Sequence, residues 1–418
     1  VIRILHTADW HLGHRLYDRD RTPEHRGALN WLLKTVEAEA VDLLIVAGDV
    51  FDVTNPSNQA KELYYDFLAR LVRTGCAAAV IVGGNHDSPG LLDAPRGLLR
   101  QLRLHVVGAA GAPAGERVFS LECGTGQVVV AAVPYLRERD LRTSQFGESS
   151  TDRLDRLREG IRQHFVDIAA AAEEQRADPS APIVATGHLF AAGATDSEEK
   201  NSYIYQADEQ NIAAAHFPSC FDYVALGHVH RAQHVGTFDH VRYSGSLLPL
   251  TFVEGQAARS VCLVELGPAG SPVVTRKIGV PTQRTLVRLH APLEEVKAGL
   301  QHAAAAATGE GLRPWAEVRV RTDVAIPNLR EKLDRVIREA QPTSDGRPAV
   351  ELLRISTERL TPRADAGAPD DIRQLDELLP TDVFGQLCAR QEVTAAARAD
   401  LAADFADLYS WVQEQEEL

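Results

Sequence analysis

The chain has 418 residues, 44% hydrophobic and 24% charged, with a net charge of −14. That length calls for two or three domains and that balance for a globular fold, which excludes a fibrous or fully disordered chain. No apolar run approaches the roughly 20 residues that cross a bilayer, and no basic-then-apolar leader opens the sequence, so a cytoplasmic protein with no membrane contact is expected. The charge is unevenly placed: residues 371–418 hold 11 acids against 3 Lys/Arg. This balance argues against non-specific DNA binding by the lone chain. It does not exclude a DNA substrate, because bound divalent cations would offset part of it locally. The cysteines at 76, 123, 220, 262 and 388 contain no Cys-x-x-Cys pair, which argues against a disulfide framework or thiolate zinc site and predicts buried free thiols.

In chain order, residues 2–6 read as a short strand. Residues 23–40 read as a helix, with Thr22 as N-cap and Pro23 at the first helical position. The apolar run at 42–47 has the pattern of a strand buried on both faces. Residues 57–73 are helical by the spacing of Leu63, Phe67 and Leu71, and 77–82 form another buried strand. Further on, 117–122 and 127–133 flank Gly124-Thr125-Gly126 as a hairpin. Residues 151–177 form a long helix, and 182–186 and 221–226 are buried strands. Residues 241–244, 260–266 and 273–278 are expected to close a second sheet, antiparallel in character.

The predicted fold class is therefore α/β, or α+β in detail: two packed sheets flanked by helices over residues 1–281. A boundary near Gly279-Val280-Pro281 precedes a β-α-β-α-β order at 282–360, read as a small α+β capping domain. Residues 361–371 are rich in Pro, Ala, Gly and Asp and read as a linker. Residues 372–418 resume helical periodicity, with Ile372, Leu375 and Leu379 on one stripe and Leu401, Phe405, Leu408 and Val412 on another. Two short amphipathic helices beyond a linker need a partner surface.

Six short segments carry metal-ligand residues. They are Ile4-Leu5-His6, Asp9-Trp10-His11, Gly48-Asp49 through Asp52, Gly84-Asn85-His86-Asp87, Gly187-His188 and Gly227-His228-Val229-His230. Four of them share one layout, an apolar run, a glycine, then Asp, Asn or His. Loops at the carboxyl ends of α/β strands face a shared crevice, so these side chains can converge from distant parts of the chain. Carboxylate, imidazole and amide oxygen suit Mn²⁺, Fe²⁺ or Zn²⁺ better than Ca²⁺. Asp49 is the natural bridge, since a carboxylate can share two oxygens between cations about 3.5–4 Å apart, an arrangement that cleaves phosphoesters. One histidine at a strand end is more often a satisfied core residue than a ligand; the ordered set argues otherwise. His6 is expected to be structural, behind Asp9. His14 and Arg15, with Arg19, Arg21 and His25, follow the first motif and are candidates for phosphate contact. Tyr203 and Tyr205 are candidates to line a substrate groove. Tyr243 and Ser246 are expected to fix the histidine loop.

Asp-x-His, Gly-Asp-x-x-Asp, Gly-Asn-His-Asp, Gly-His and Gly-His-x-His, in this order, resemble the calcineurin-like metallophosphoesterases. The finer wording is similar to the SbcD nuclease subunits of bacterial SbcC–SbcD complexes. It runs through His6-Thr-Ala-Asp-Trp-His-Leu-Gly13, Gly48-Asp-Val-Phe-Asp52, Gly84-Asn-His-Asp-Ser-Pro89, Gly187-His-Leu-Phe190 and Tyr243-Ser-Gly-Ser246. The likeness rests on motifs in the catalytic domain, and on order and size alone in the small domain and tail.

The resemblance implies that Asp9, His11, Asp49 and His230 hold one metal, and that Asp49, Asn85, His188 and His228 hold a second, with Mn²⁺ as the ion. His86 would stabilise charge on the phosphate or protonate the leaving oxygen, and Asp52 would orient His86. The implied activity is a DNA nuclease, a double-strand 3'-5' exonuclease and a single-strand or hairpin endonuclease. Its implied partner is an SbcC-type coiled-coil ATPase docked on 372–418, in a two-fold homodimer. A phosphoesterase for small molecules or phosphoproteins and a non-catalytic scaffold are the rival readings. The cap and the helical tail favour the nuclease.

Overall fold

The continuous apolar run after Asp42 is a strand with no solvent-facing side. In the computed structural model it is Leu43–Ala47, where Leu43 and Ile45 face a second sheet while Leu44 and Val46 face helices. Burial of each such side chain contributes roughly 1.5–3 kcal/mol. Two faces of apolar partners therefore fix this strand in the interior of its sheet. The structure describes residues 1–124, 126–141, 150–192, 212–307, 311–341 and 347–359, with Phe384, Cys388, Leu401 and Phe405 beyond them.

The first sheet has the order Val274–Gly279, Ser260–Leu266, Ile2–Thr7, Leu43–Ala47, Ala78–Val82, Leu104–Val107. Its last four strands are parallel, and the first two are antiparallel additions. The second sheet has the order Gln233–Val235, Phe238–Tyr243, Tyr223–Gly227, Ile183–His188, Gly126–Ala131, Val118–Cys123, with its middle four parallel. The sheets pack face to face through Ile4, Val80, Val130, Val184 and Ala225. Helices Thr22–Ala38 and Asn58–Leu71 cover the first sheet, and Ser150–Gln175 covers the second. The result is the expected two-sheet sandwich flanked by helices.

Three expectations are corrected. Ser260–Leu266 and Val274–Gly279 belong to the first sheet, because Ile2–Thr7 has a free edge opposite Leu43–Ala47 and pairs there, Ile4 facing Val264. The strands at 183–188, 223–227 and 238–243 are parallel, and only the edge hairpins are antiparallel. The helix predicted to be capped by Thr22 begins at Thr22. Its N-cap position is Arg21, which makes no side-chain capping bond, and Asp20 before it accepts from Thr22 N at 3.2 Å and Thr22 Oγ1 at 2.9 Å.

Leu286–Pro292, Trp315–Arg321 and Glu351–Glu358 form a separate parallel sheet. Its crossover helices, Leu293–Ala306 and Leu329–Ala340, bury Val296, Leu300, Leu333 and Ile337 against it. This small sheet joins the sandwich in one compact unit, Val1–Glu358, and Arg359–Leu418 is a second unit. In the second unit the rings of Phe384 and Phe405 stack with centroids 4.2 Å apart, and Cys388 is buried. The linker and most of the two predicted stripes lie outside the described residues. Cys123 and Cys262 are likewise buried, Cys76 and Cys220 are half-buried, and all five thiols are free. Among the described residues no helix is long and apolar enough to cross a membrane.

Candidate metal centre

Five strands deliver the motif residues to one place. Ile2–Thr7, Leu43–Ala47 and Ala78–Val82 end at Asp9 and His11, at Asp49, and at Asn85 and His86; Ile183–His188 and Tyr223–Gly227 come from the other sheet. The crevice thus lies at the carboxyl ends of parallel strands in both sheets. Trp10 explains how the first loop holds its shape. Its ring is buried edge-on to Phe67 at 5.0 Å and its Nε1 donates to Thr7 Oγ1 at 3.0 Å. The ligands on either side of it are thereby directed away from the helix layer.

The glycines before the ligands are required by space. A Cβ on Gly48, at φ +92°, would fall 2.1 Å from His188 Nδ1, and one on Gly84 would fall 2.1 Å from Asp49 Oδ1. The candidate ligands carry strain of their own. Asp9, His11, Asp49 and His228 have φ of 52°, 45°, 48° and 95°. Such left-handed residues cost about 1–3 kcal/mol each and persist where surrounding structure holds them. Here Gly48 O accepts from Asp9 N, and Asp49 O accepts from His11 N, both at 3.0 Å. Asp87, fully buried, ties the loops together by accepting from Gly84 N, Val50 N and Phe51 N at 2.8–3.1 Å. Burial and the neighbouring Asp49 push its pKa up to about 6.

Two donor sets share Asp49. His188 Nε2 lies 3.2 Å and His11 Nε2 3.6 Å from Asp49 Oδ2. Asn85 Oδ1 sits 3.0 Å from His188 Nε2 and 3.1 Å from His228 Nδ1. Candidate ligand atoms of Asp9, His11 and His230 lie within 4.8 Å of one another, as do those of Asp9, Asp49 and His188. Buried Asp9 Oδ2 and His11 Nε2 have no hydrogen-bond partner among the described residues. Buried polar atoms without partners are costly, and these two face other ligands, which is the arrangement divalent cations satisfy. The chain's own residues therefore fit a pair of such ions.

Each ring is turned by its other nitrogen. His188 Nδ1 donates to Ala47 O at 2.9 Å, and His230 Nδ1 faces Glu254 Oε1 at 3.1 Å. Burial opposes charge on His188, but the Asp49 carboxylate lifts its pKa to about 9. The same conflict at Asp49 resolves toward ionisation: burial raises its pKa, and His188, His11 and His86 together hold it well below the carboxylate range. Glu254, buried, is drawn down to about 2 by His230 and Arg259 against the effect of burial.

Asp52 meets His86, as the resemblance implied, but through its main chain. Its carboxylate bonds His11 Nδ1 at 3.2 Å, while its main-chain carbonyl accepts from His86 Nδ1 at 2.7 Å. The Asp52 backbone thus reaches His86 while its side chain turns the other way, onto His11. His14 is half-buried beside His11, whose carbonyl accepts from its N–H at 2.9 Å. Burial takes the His14 pKa down to about 4, with Asp52 opposing. Arg15 is exposed and its guanidinium turns to Asp18 O. Tyr203 and Tyr205 lie outside the described residues. His6 is buried between Tyr223 OH and Leu226 O, at 2.9 and 3.1 Å, and does not join either donor set. Tyr243 OH donates to Leu189 O at 2.9 Å and accepts from Ala191 N at 2.7 Å, fixing the loop after His188. Sequence reasoning missed Glu254, which follows His230 by 24 residues with no motif around it. It also gave Asp87 no role, although the Gly-Asn-His-Asp wording contains it.

A calcineurin-like phosphoesterase model matches residues 2–232, just over half of the chain. The chain belongs to the calcineurin-like phosphoesterases. A second model, the type 5 capsule protein repressor C-terminal domain (SbcD_C), matches residues 282–392 and so runs from the small sheet into the second unit. The chain is 35% identical to the SbcD subunit of nuclease SbcCD from Escherichia coli K12, over 94% of each chain. It is 34% identical to the SbcD subunit from Rhodobacter capsulatus, over 82% of this chain and 85% of that one. The Bacillus subtilis counterpart is 33% identical over 82% and 84%. Within the phosphoesterases, the chain thus falls in the SbcD family of nuclease subunits.

Proposed function

We propose that this chain is the nuclease subunit of an SbcC–SbcD-type complex, hydrolysing DNA phosphodiester bonds with two Mn²⁺ ions in the cytoplasm. The observation that carries phosphoester hydrolysis is the pair of buried donor sets joined at Asp49. Near-full-length similarity to SbcD nuclease subunits, reaching through the small sheet, favours DNA over a small molecule.

Asp9, His11, Asp49 and His230 would hold one cation; Asp49, Asn85, His188 and His228 would hold the other. When bound, the cations supply Lewis-acid activation of the scissile phosphate and the attacking water. Asp49 remains ionised among three imidazoles, so a single side chain neutralises charge in both sets. Asp52 fixes His86 Nδ1 as the donor nitrogen, which leaves Nε2 to face a substrate. From Nε2, His86 would hydrogen-bond the phosphate or pass a proton to the leaving oxygen. Asp52 acts at the same time on His11, and so serves a ligand and an acid. His14 and Arg15, beside that loop, are the candidates for contact with the DNA backbone, and Tyr203 and Tyr205 for the groove.

The purified chain should release nucleotides from DNA only with Mn²⁺ or a similar divalent ion. Hydrolysis of a cyclic nucleotide or phosphopeptide with no action on DNA would sink the nuclease reading.

Residues 372–418 would dock an SbcC-type coiled-coil ATPase, and the catalytic subunits would pair about a two-fold axis. Phe405, on the second stripe, stacks on Phe384, so that stripe is held by an apolar contact within the segment. The acid excess of the segment suits a basic partner face. Deletion from Asp371 onward should leave Mn²⁺-dependent cleavage intact and abolish co-purification with the ATPase. Undiminished co-purification would refute the assignment.

A further inference from the structure

The segment that follows ligand His11 is fastened to the small sheet at three points. Tyr17 OH donates to Glu317 Oε1 at 2.6 Å and accepts from Arg354 at 2.9 Å. Arg19 pairs with Glu351 at 2.7 Å. Glu24, fully buried, accepts from Arg284 Nε at 2.6 Å, and the Arg284 guanidinium lies 3.9 Å from the Trp315 ring centroid.

The support of His230 rests on the same body. Glu254, which holds His230 Nδ1, opens the short turn Glu254–Gln256. Gly255 in that turn packs against the first strand of the small sheet, so that a Cβ there would stand 2.8 Å from Leu286 Cβ. Leu16, Phe252, Leu286 and Trp315 close one buried cluster between the two contacts, and Tyr17 stacks on Phe252 at 5.9 Å. Both imidazoles of the first donor set, His11 and His230, therefore stand on segments braced by the small sheet. The second set is oriented from the central strands instead, with His188 Nδ1 on Ala47 O and Asn85 Oδ1 between His188 and His228.

We propose that Tyr17 and Glu254 are positioning residues through which the small sheet domain sets the first metal position while leaving the second unchanged. Displacement of that domain by a partner or by DNA would then loosen one cation of the pair. The inference rests on the two-cation reading. Partners behind metal ligands typically contribute about 10–100-fold to affinity, and one hydroxyl contact contributes about 2- to 10-fold.

Mn²⁺ titration of the full chain, followed by electron paramagnetic resonance, tests it. The unaltered chain should bind two Mn²⁺ as a spin-coupled pair. Glu254→Gln should weaken one Mn²⁺ by about 10-fold or more and leave the other unchanged. Tyr17→Phe keeps the ring on Phe252 and should weaken the same Mn²⁺ by about 2- to 10-fold. Glu317→Ala, on the small sheet itself, should act on that same ion and add little to Tyr17→Phe. Equal weakening of both ions, or an effect of Glu254→Gln with none from Tyr17→Phe and Glu317→Ala, would overturn the inference but spare the two-cation reading. Binding of a single Mn²⁺ by the unaltered chain would overturn both.

Discussion

Asp49→Asn should remove both divalent cations together. Asp49 Oδ2 is 3.2 Å from His188 Nε2 and 3.6 Å from His11 Nε2, so one oxygen faces a histidine of each set. Oδ1 meanwhile accepts from His86 N at 3.0 Å and holds the loop that bears Asn85. The amide is nearly isosteric. It loses the negative charge and places a donor where ligands converge, next to nitrogens that offer lone pairs or protons of their own. The expected loss exceeds the roughly 100-fold seen at most for partners behind a ligand, and it applies to both ions. Cleavage should fall with it. Asp9→Asn is the contrast, since Asp9 Oδ2 is the unpartnered oxygen of the first set and its Oδ1 is engaged by His228 N at 2.9 Å. Retention of one Mn²⁺ at unchanged affinity in Asp49→Asn would show that Asp49 does not bridge.

His86→Ala should have the opposite signature, with both Mn²⁺ retained and kcat lowered by about 10²- to 10⁴-fold. Proximity alone leaves the point open to test, because His86 lies with His11 and Asp49 in a group compact enough to hold an ion. Its bonding argues for chemistry instead. The ring is pinned through Nδ1 to Asp52 O and sits edge-on to His11 with centroids 4.9 Å apart. Loss of one Mn²⁺ in this variant would make His86 a ligand and leave the site without its proposed acid.

The strand-end motifs were legible because they are local. A buried strand needs a continuous apolar run, as at Leu43–Ala47, and a sharp exit beside a ligand needs glycine, as at Gly48. The parallel strands of the first sheet follow from that pattern and from the alternation of helices. What was not legible depends on contacts between distant segments. Ser260–Leu266 has the same composition whichever sheet it joins, and only the open edge of Ile2–Thr7 assigns it. The resemblance paired Asp52 with His86, and only the structure shows that its carbonyl makes that contact while its carboxylate turns to His11. Glu254 carries no motif, because its role is defined by the position of His230 and by Arg259, whose guanidinium bonds the carbonyl of His230 at 2.8 Å.

By itself, the sequence determined which candidate ligand types stand at the strand ends and in what order, because residue type and the glycine before it are written one after another along the chain. Tertiary structure alone decided which side chain serves which ligand and which ligands rest on the small sheet. Those assignments depend on a few ångströms between segments as far as 337 residues apart, as with Tyr17 and Arg354. No local pattern encodes such distances, since they are set by how separately buried cores dock.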